Sequence, residues 1–105
     1  MMDGTILDTL LKAKWNGMKT ALNEQNVTGA LDKIANISKD MFEFNFNLLI
    51  DRLPQIVADF HNITLVRVGN GFAEYEMWAE QGGDTTSFVI YFVRDTDGIW
   101  RVQFF

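Results

Sequence analysis

The sequence predicts an α+β domain, with N-terminal helices packed on one face of a four-stranded antiparallel meander sheet. Three observations carry this. Apolar residues recur at helical spacing through the first part of the chain, the period changes to two from Ile63, and glycine-containing turns separate the strand-like runs. Helices followed by a meander segregate to one side of the sheet they cover.

The first helix is expected from about Thr5 to Asn23. Leu7, Leu11, Trp15, Met18 and Leu22 share one stripe, and Thr5-Ile6-Leu7-Asp8 reads as a capping box at its start. Asn26-Val27-Thr28 breaks it, and Thr28 is placed to cap a short second helix through Ala30, Leu31 and Ile34. Asn36-Ile37-Ser38 is a second break, with Ser38 as cap of a third helix. That third segment carries two signals at once. Phe42 to Leu48, FEFNFNL, alternates as a strand does, while Phe42, Phe46, Leu49 and Leu53 fall on one helical stripe. The persistence of the stripe over about three turns selects the helix. Pro54 suits the opening of a further short helix, PQIVADF.

Four strands follow: ITLVRV, FAEYEMWAE, TSFVIYFV and IWRVQFF. Gly69-Asn70-Gly71 and Gly82-Gly83-Asp84 supply the first two turns. In the second strand Ala73, Tyr75, Met77 and Ala79 take one face and Glu74 and Glu76 the other. The third strand is apolar on both faces, with Phe88, Ile90 and Phe92 against Val89, Tyr91 and Val93. An antiparallel sheet with one wet face carries polar residues there. A second copy of the chain is therefore expected over the face that the helices leave bare.

Asp95-Thr96-Asp97-Gly98 reads as the third turn rather than a calcium loop. The helix-loop-helix type needs a glutamate twelve positions from its first acid and helices on both sides. Here that position falls past Phe105 and the flanks are strand-like. The turn is expected to send Trp100, Val102 and Phe104 into the core.

The order of these motifs, with ALDKI, LPQIVADF, GFAEYE and YFVRDTDGIWRV, resembles the nuclear transport factor 2-like (cystatin-like α+β cone) superfamily. The likeness is to a small uncharacterised bacterial branch. Its domains often sit at the end of larger, sometimes surface-associated proteins. The resemblance spans nearly the whole chain and is most specific in GFAEYE and DGIWRV, which are structural motifs. It implies a curved sheet around the long first helix, a cone-shaped hollow that often becomes a ligand pocket, and dimers through the sheet. The superfamily holds isomerases, dehydratases and cyclases beside non-catalytic carriers and assembly domains. The fold therefore leaves the function open.

The composition narrows the classes. The chain has 105 residues, suited to a single domain spanning 1–105, and a formal net charge of −5 with scattered bases. Nucleic acid and anionic membranes are repelled on average. There are no cysteines and one histidine, which leaves no thiolate zinc site or cysteine nucleophile. No run is long and apolar enough to cross a bilayer, and no signal-peptide pattern opens the chain. The chain as given is expected to be soluble and cytoplasmic, or a domain of a longer surface-associated bacterial protein.

No catalytic residue, metal site or cofactor is assigned. His61, two residues from Asp59, reads as a surface or capping residue rather than half of an acid–base dyad. Trp15, Met18, Tyr75, Met77 and Tyr91 are the candidates to line a small apolar hollow. Glu74, Glu76, Phe88, Ile90, Phe92 and Arg101 are the candidates for the sheet face and interface. The expected function is non-catalytic binding or assembly: a homodimer with room for a small apolar ligand. The alternative is a small isomerase, dehydratase or cyclase acting on an apolar substrate in the cone, for example through a buried glutamate beside Tyr75 or Tyr91.

Overall fold

The computed structural model describes residues 4–60, 62–81 and 83–105. Helix α1 runs Gly4–Asn23, α2 Val27–Leu31, α3 Lys39–Leu48 and α4 Leu53–Ala58. Single 3-10 turns precede α3 (Asn36–Ser38) and α4 (Ile50–Arg52). The strands are β1 Ile63–Gly69, β2 Phe72–Gln81, β3 Asp84–Arg94 and β4 Trp100–Phe104, paired antiparallel in the order β1-β2-β3-β4. The class is α+β: helices on one face of a four-stranded meander.

Leu11, Trp15, Met18 and Leu22 of α1 are buried, as their spacing requires. The helix already includes Gly4, so Thr5 lies within it and is not its cap. Its far end turns through Gln25, at φ 60, with Asn26 N–H donating to the Ala21 carbonyl at 2.8 Å. The cap of α2 is Asn26 rather than Thr28. Its side-chain oxygen accepts from the Gly29 N–H at 3.0 Å, and a side chain on Gly29 would collide with it. Ile34 does not extend α2. Lys33 to Ala35 lie parallel to β4, with Ala35 N–H donating to Val102 O at 2.7 Å and Val102 N–H donating to Lys33 O at 2.8 Å. The outer border of β4 is therefore partly paired.

Helix α3 resolves the double signal of FEFNFNL. Phe42 and Phe46, four apart, are buried; Phe44 and Leu48, also four apart, are 69% and 71% exposed. Alternation in sequence becomes two apolar stripes on opposite sides of one helix, because a step of two residues turns a helix through more than half a circle. Pro54 sits in the first turn of α4, as expected.

Register assigns the sheet faces. Phe92 pairs with Ala73, Ile90 with Tyr75 and Phe88 with Met77. The β2 partners are at most 3% exposed, so this is the face beneath the helices. Two irregularities interrupt the ladders, between Leu65 and Arg67 and between Tyr91 and Phe92. The second decides the fate of the last residues. Val102 faces Phe92, but Phe104 faces Tyr91, so an extra residue in β4 moves Phe104 to the outer side. Trp100 and Val102 do turn inward. The expected core place of Phe104 is taken by Phe105, whose ring stacks on Phe42 at 5.1 Å and meets Trp15 edge-on at 5.4 Å and Phe60 at 6.0 Å.

This inversion gives a paired expectation. Phe105→Ala should cost about 2–3 kcal/mol in urea denaturation. Phe104→Ala, half exposed, should cost under about 1 kcal/mol. The reverse order would mean that the strand runs through without its bulge.

Candidate functional site

Two regions carry the chemistry that the sequence singled out: the hollow between helices and sheet, and the outer sheet face with the turn at its corner. The hollow has a volume of about 280 Å³. It opens between α4 and the inner face of β2 and β3, and is lined by Ile56, Asp59, Phe60, Met77, Phe88, Ile90 and Phe105. That size is at the lower limit of cavities that hold small organic ligands. Asp59 is its one carboxylate among the described residues, and it is exposed at the rim.

Of the five residues expected to line a hollow, only Met77 lines this one; Trp15 borders a separate depression with Lys12, Asn16, Asn62 and Ile63. Trp15, Met18 and Tyr75 are at most 1% exposed and form the packed interior. Tyr91 stands on the opposite face of the sheet, because it belongs to the other alternate set of β3. Phe88, Ile90 and Phe92 were expected at an interface. The register turns them inward instead, where Ile90 and Phe92 are fully buried and Phe88 and Ile90 wall the hollow. His61 lies outside the described residues.

Tyr75 keeps its polar end satisfied while buried. Its hydroxyl donates to Asp8 Oδ1 at 2.6 Å, and Lys12 Nζ, one turn along α1, stands 3.1 Å from the other oxygen of that carboxylate. The phenol's hydrogen bond holds the Asp8 carboxyl below its usual 3.8, with Lys12 contributing less. Burial pushes the Tyr75 phenol well above its usual range, and the bond to Asp8 adds to the rise. The pair ties the start of α1 to the centre of the sheet. Neither residue lines the hollow.

On the outer face, three rings lie parallel across three strands. Phe72 stacks on Tyr91 at 5.7 Å and Tyr91 on Phe104 at 5.1 Å, with interplanar angles of 6° and 3°. Trp78 and Val89, also on this face, are 51% and 47% exposed. Glu74 and Glu76 share it, as alternation predicted. Glu74 pairs with Arg67 at 3.3 Å, and the guanidinium also lies 5.5 Å from the centre of the Phe72 ring.

Arg101 is not a solvated member of that face. Its Nη1 donates to Asp95 Oδ2 at 2.8 Å and to Asp97 Oδ1 at 3.0 Å, and Nη2 donates to Asp97 Oδ2 at 2.9 Å. Asp95 Oδ2 also accepts from the Asn36 N–H at 3.2 Å, and Asp97 Oδ1 from the Ile99 N–H at 3.1 Å. The acids of the turn thus spend their oxygens on one guanidinium and on backbone. Gly98, at φ 82, completes the turn with its N–H on Asp95 O. Hydrogen bonds from Arg101 and from the Ile99 N–H lower the Asp97 pKa. Among the described residues no cluster of three or more metal-ligating side chains occurs, and no helix is long and apolar enough to cross a membrane.

No family model, curated protein or solved structure matches the chain.

Two measurements check this network. Arg101→Ala should lose about 2 kcal/mol at neutral pH, because the half-buried Asp95 is left without its charged hydrogen-bond partner. Arg101→Lys should recover only part, since an ammonium cannot serve both acids as a planar fork does. Tyr75→Phe should cost about 1.5 kcal/mol at neutral pH. Asp8 has a lower pKa folded than unfolded. Its contribution is therefore complete above the unfolded value and lost as pH falls through the folded one. The gap between wild type and Tyr75→Phe should then narrow in acid, in denaturation curves recorded down to about pH 2.

Proposed function

We propose that the chain is a non-catalytic binding and assembly domain of the nuclear transport factor 2-like type. In this reading it forms a homodimer through the outer face of its sheet and offers the small apolar hollow beneath α4 to a ligand. The observation that carries the assembly part is the stacked ladder of Phe72, Tyr91 and Phe104, continued by the exposed Trp78 and Val89 on the side of the sheet away from the helices. The strands hold 7, 10, 11 and 5 residues, so the face averages about eight residues long and four strands wide, roughly 27 by 19 Å. Two such faces bury about 1,000 Å², the least that a specific interface should clear. Aligned sheets pack with aromatic and branched side chains interleaved, and this face has both. The ligand part rests on a lining that is apolar but for Asp59.

The alternative, an isomerase, dehydratase or cyclase, has less behind it. The carboxylate at the hollow is exposed, and the half-buried Asp8–Tyr75 pair lies away from it.

Size exclusion with light scattering should report about twice the 12.0 kDa of the chain. Val89→Lys sets an ammonium opposite Glu76, its cross-strand partner. The single chain tolerates that pairing; the packed sheet face does not. This variant should therefore run as a monomer with its circular dichroism unchanged. A wild-type mass of 12.0 kDa at every concentration would remove the dimer from the reading.

A further inference from the structure

Helix α3 presents a second apolar surface that the domain does not use. Ile37, Met41, Phe44 and Leu48 are 83%, 54%, 69% and 71% exposed. They stand at i, i+4, i+7 and i+11, the 3–4 spacing of a helix-packing seam. The stripe runs about 17 Å from the 3-10 turn to the end of the helix. Its back is fixed to the core by Phe42 and Phe46, so it is presented rigidly. It lies on the helical side of the molecule, apart from the outer sheet face, and does not depend on the dimer.

One border of the seam is acidic. Asp40 and Glu43 flank it, joined by Asn47, while the other border carries the uncharged Asn45, Ser38 on that side being buried. Lys39 falls on the far side by helical spacing. A shallow depression on the acidic border is lined by Asp40, Glu43, Phe44, Asn47 and Leu48. Such a seat suits a lysine or arginine, whose methylene stem lies on Phe44 and Leu48 while its head reaches the carboxylates.

We propose that this seam docks an amphipathic helix of a different protein, one whose apolar stripe is bordered by Lys or Arg. Charge selects this occupant. A second copy laid antiparallel sets acid border against acid border, and one laid parallel sets the acids against the uncharged Asn45. Neither supplies a base. An anionic bilayer meets the same acids on a chain of net charge −5.

The test uses a synthetic helical peptide with leucines at the seam spacing and lysines on its borders, labelled for fluorescence anisotropy. Binding should be micromolar and weaken with salt. Phe44→Gln/Leu48→Gln keeps every charge and should weaken it at least about tenfold, with the melting temperature unchanged. A peptide with glutamates in place of the lysines should bind at least about tenfold more weakly. No binding of the lysine peptide at millimolar concentration overturns the proposal. So does equal binding by the double variant, which would reduce the effect to charge alone. Loss of self-association in the double variant would assign the seam to a second copy. Sedimentation of wild type, but not the variant, with phosphatidylcholine vesicles would assign it to lipid. Either result also overturns the proposal.

Discussion

The interior of this domain hangs on where one ring goes. Phe105 sits among Trp15 of α1, Phe42 and Phe46 of α3, and Phe60 beyond α4, and so joins helices distant in sequence to the end of the last strand. It gets there because β4 takes an extra residue after Val102. Without that shift Phe104 would face inward and the outer ladder would lose its third ring. One bulge therefore supplies both the centre of the core and the edge of the proposed interface.

Arg101 does for the other end of β4 what Phe105 does for this one. The guanidinium gathers Asp95 and Asp97, and Asp95 in turn holds the Asn36 N–H. The backbone of Lys33 to Ala35 is bonded to β4 beside it. The segment between α2 and α3 is thereby attached to the sheet, which sets the starting point and direction of α3. The orientation of the exposed seam is thus a consequence of an ion-pair cluster in a turn about sixty residues later in the chain.

The periodicities were enough to read the helices, the meander and the face division of β2, because each is a local pattern. Asp97-Gly98 was legible as a turn for the same reason. What escaped depends on partners far off in the chain. Alternation shows that Tyr91 and Phe92 point oppositely but not which of them faces the helices; the pairing with β2 decides that. A bulge has no sequence signature in VQFF. Arg101 looks like a solvated strand residue until the two acids of the turn fold over it. The exposed half of α3 was hidden by its own pattern, since one run of alternating phenylalanines serves two opposite stripes. The hollow, finally, is walled by Ile56, Phe60 and Phe105, none of which stands apart from ordinary core residues in the sequence.

The borders of the sheet have a meaning for the molecule's solubility. A long, flat, unpaired strand recruits further strands and leads to fibres. Here β4 is sealed along its middle by the Lys33–Ala35 backbone, and β1 is bent by the irregularity at Leu65 to Arg67, with a guanidinium at the bend. Neither border offers a straight row of free amides and carbonyls. A protein with two exposed apolar surfaces is at risk of uncontrolled aggregation, and borders closed in this way remove the route that runs through strand addition.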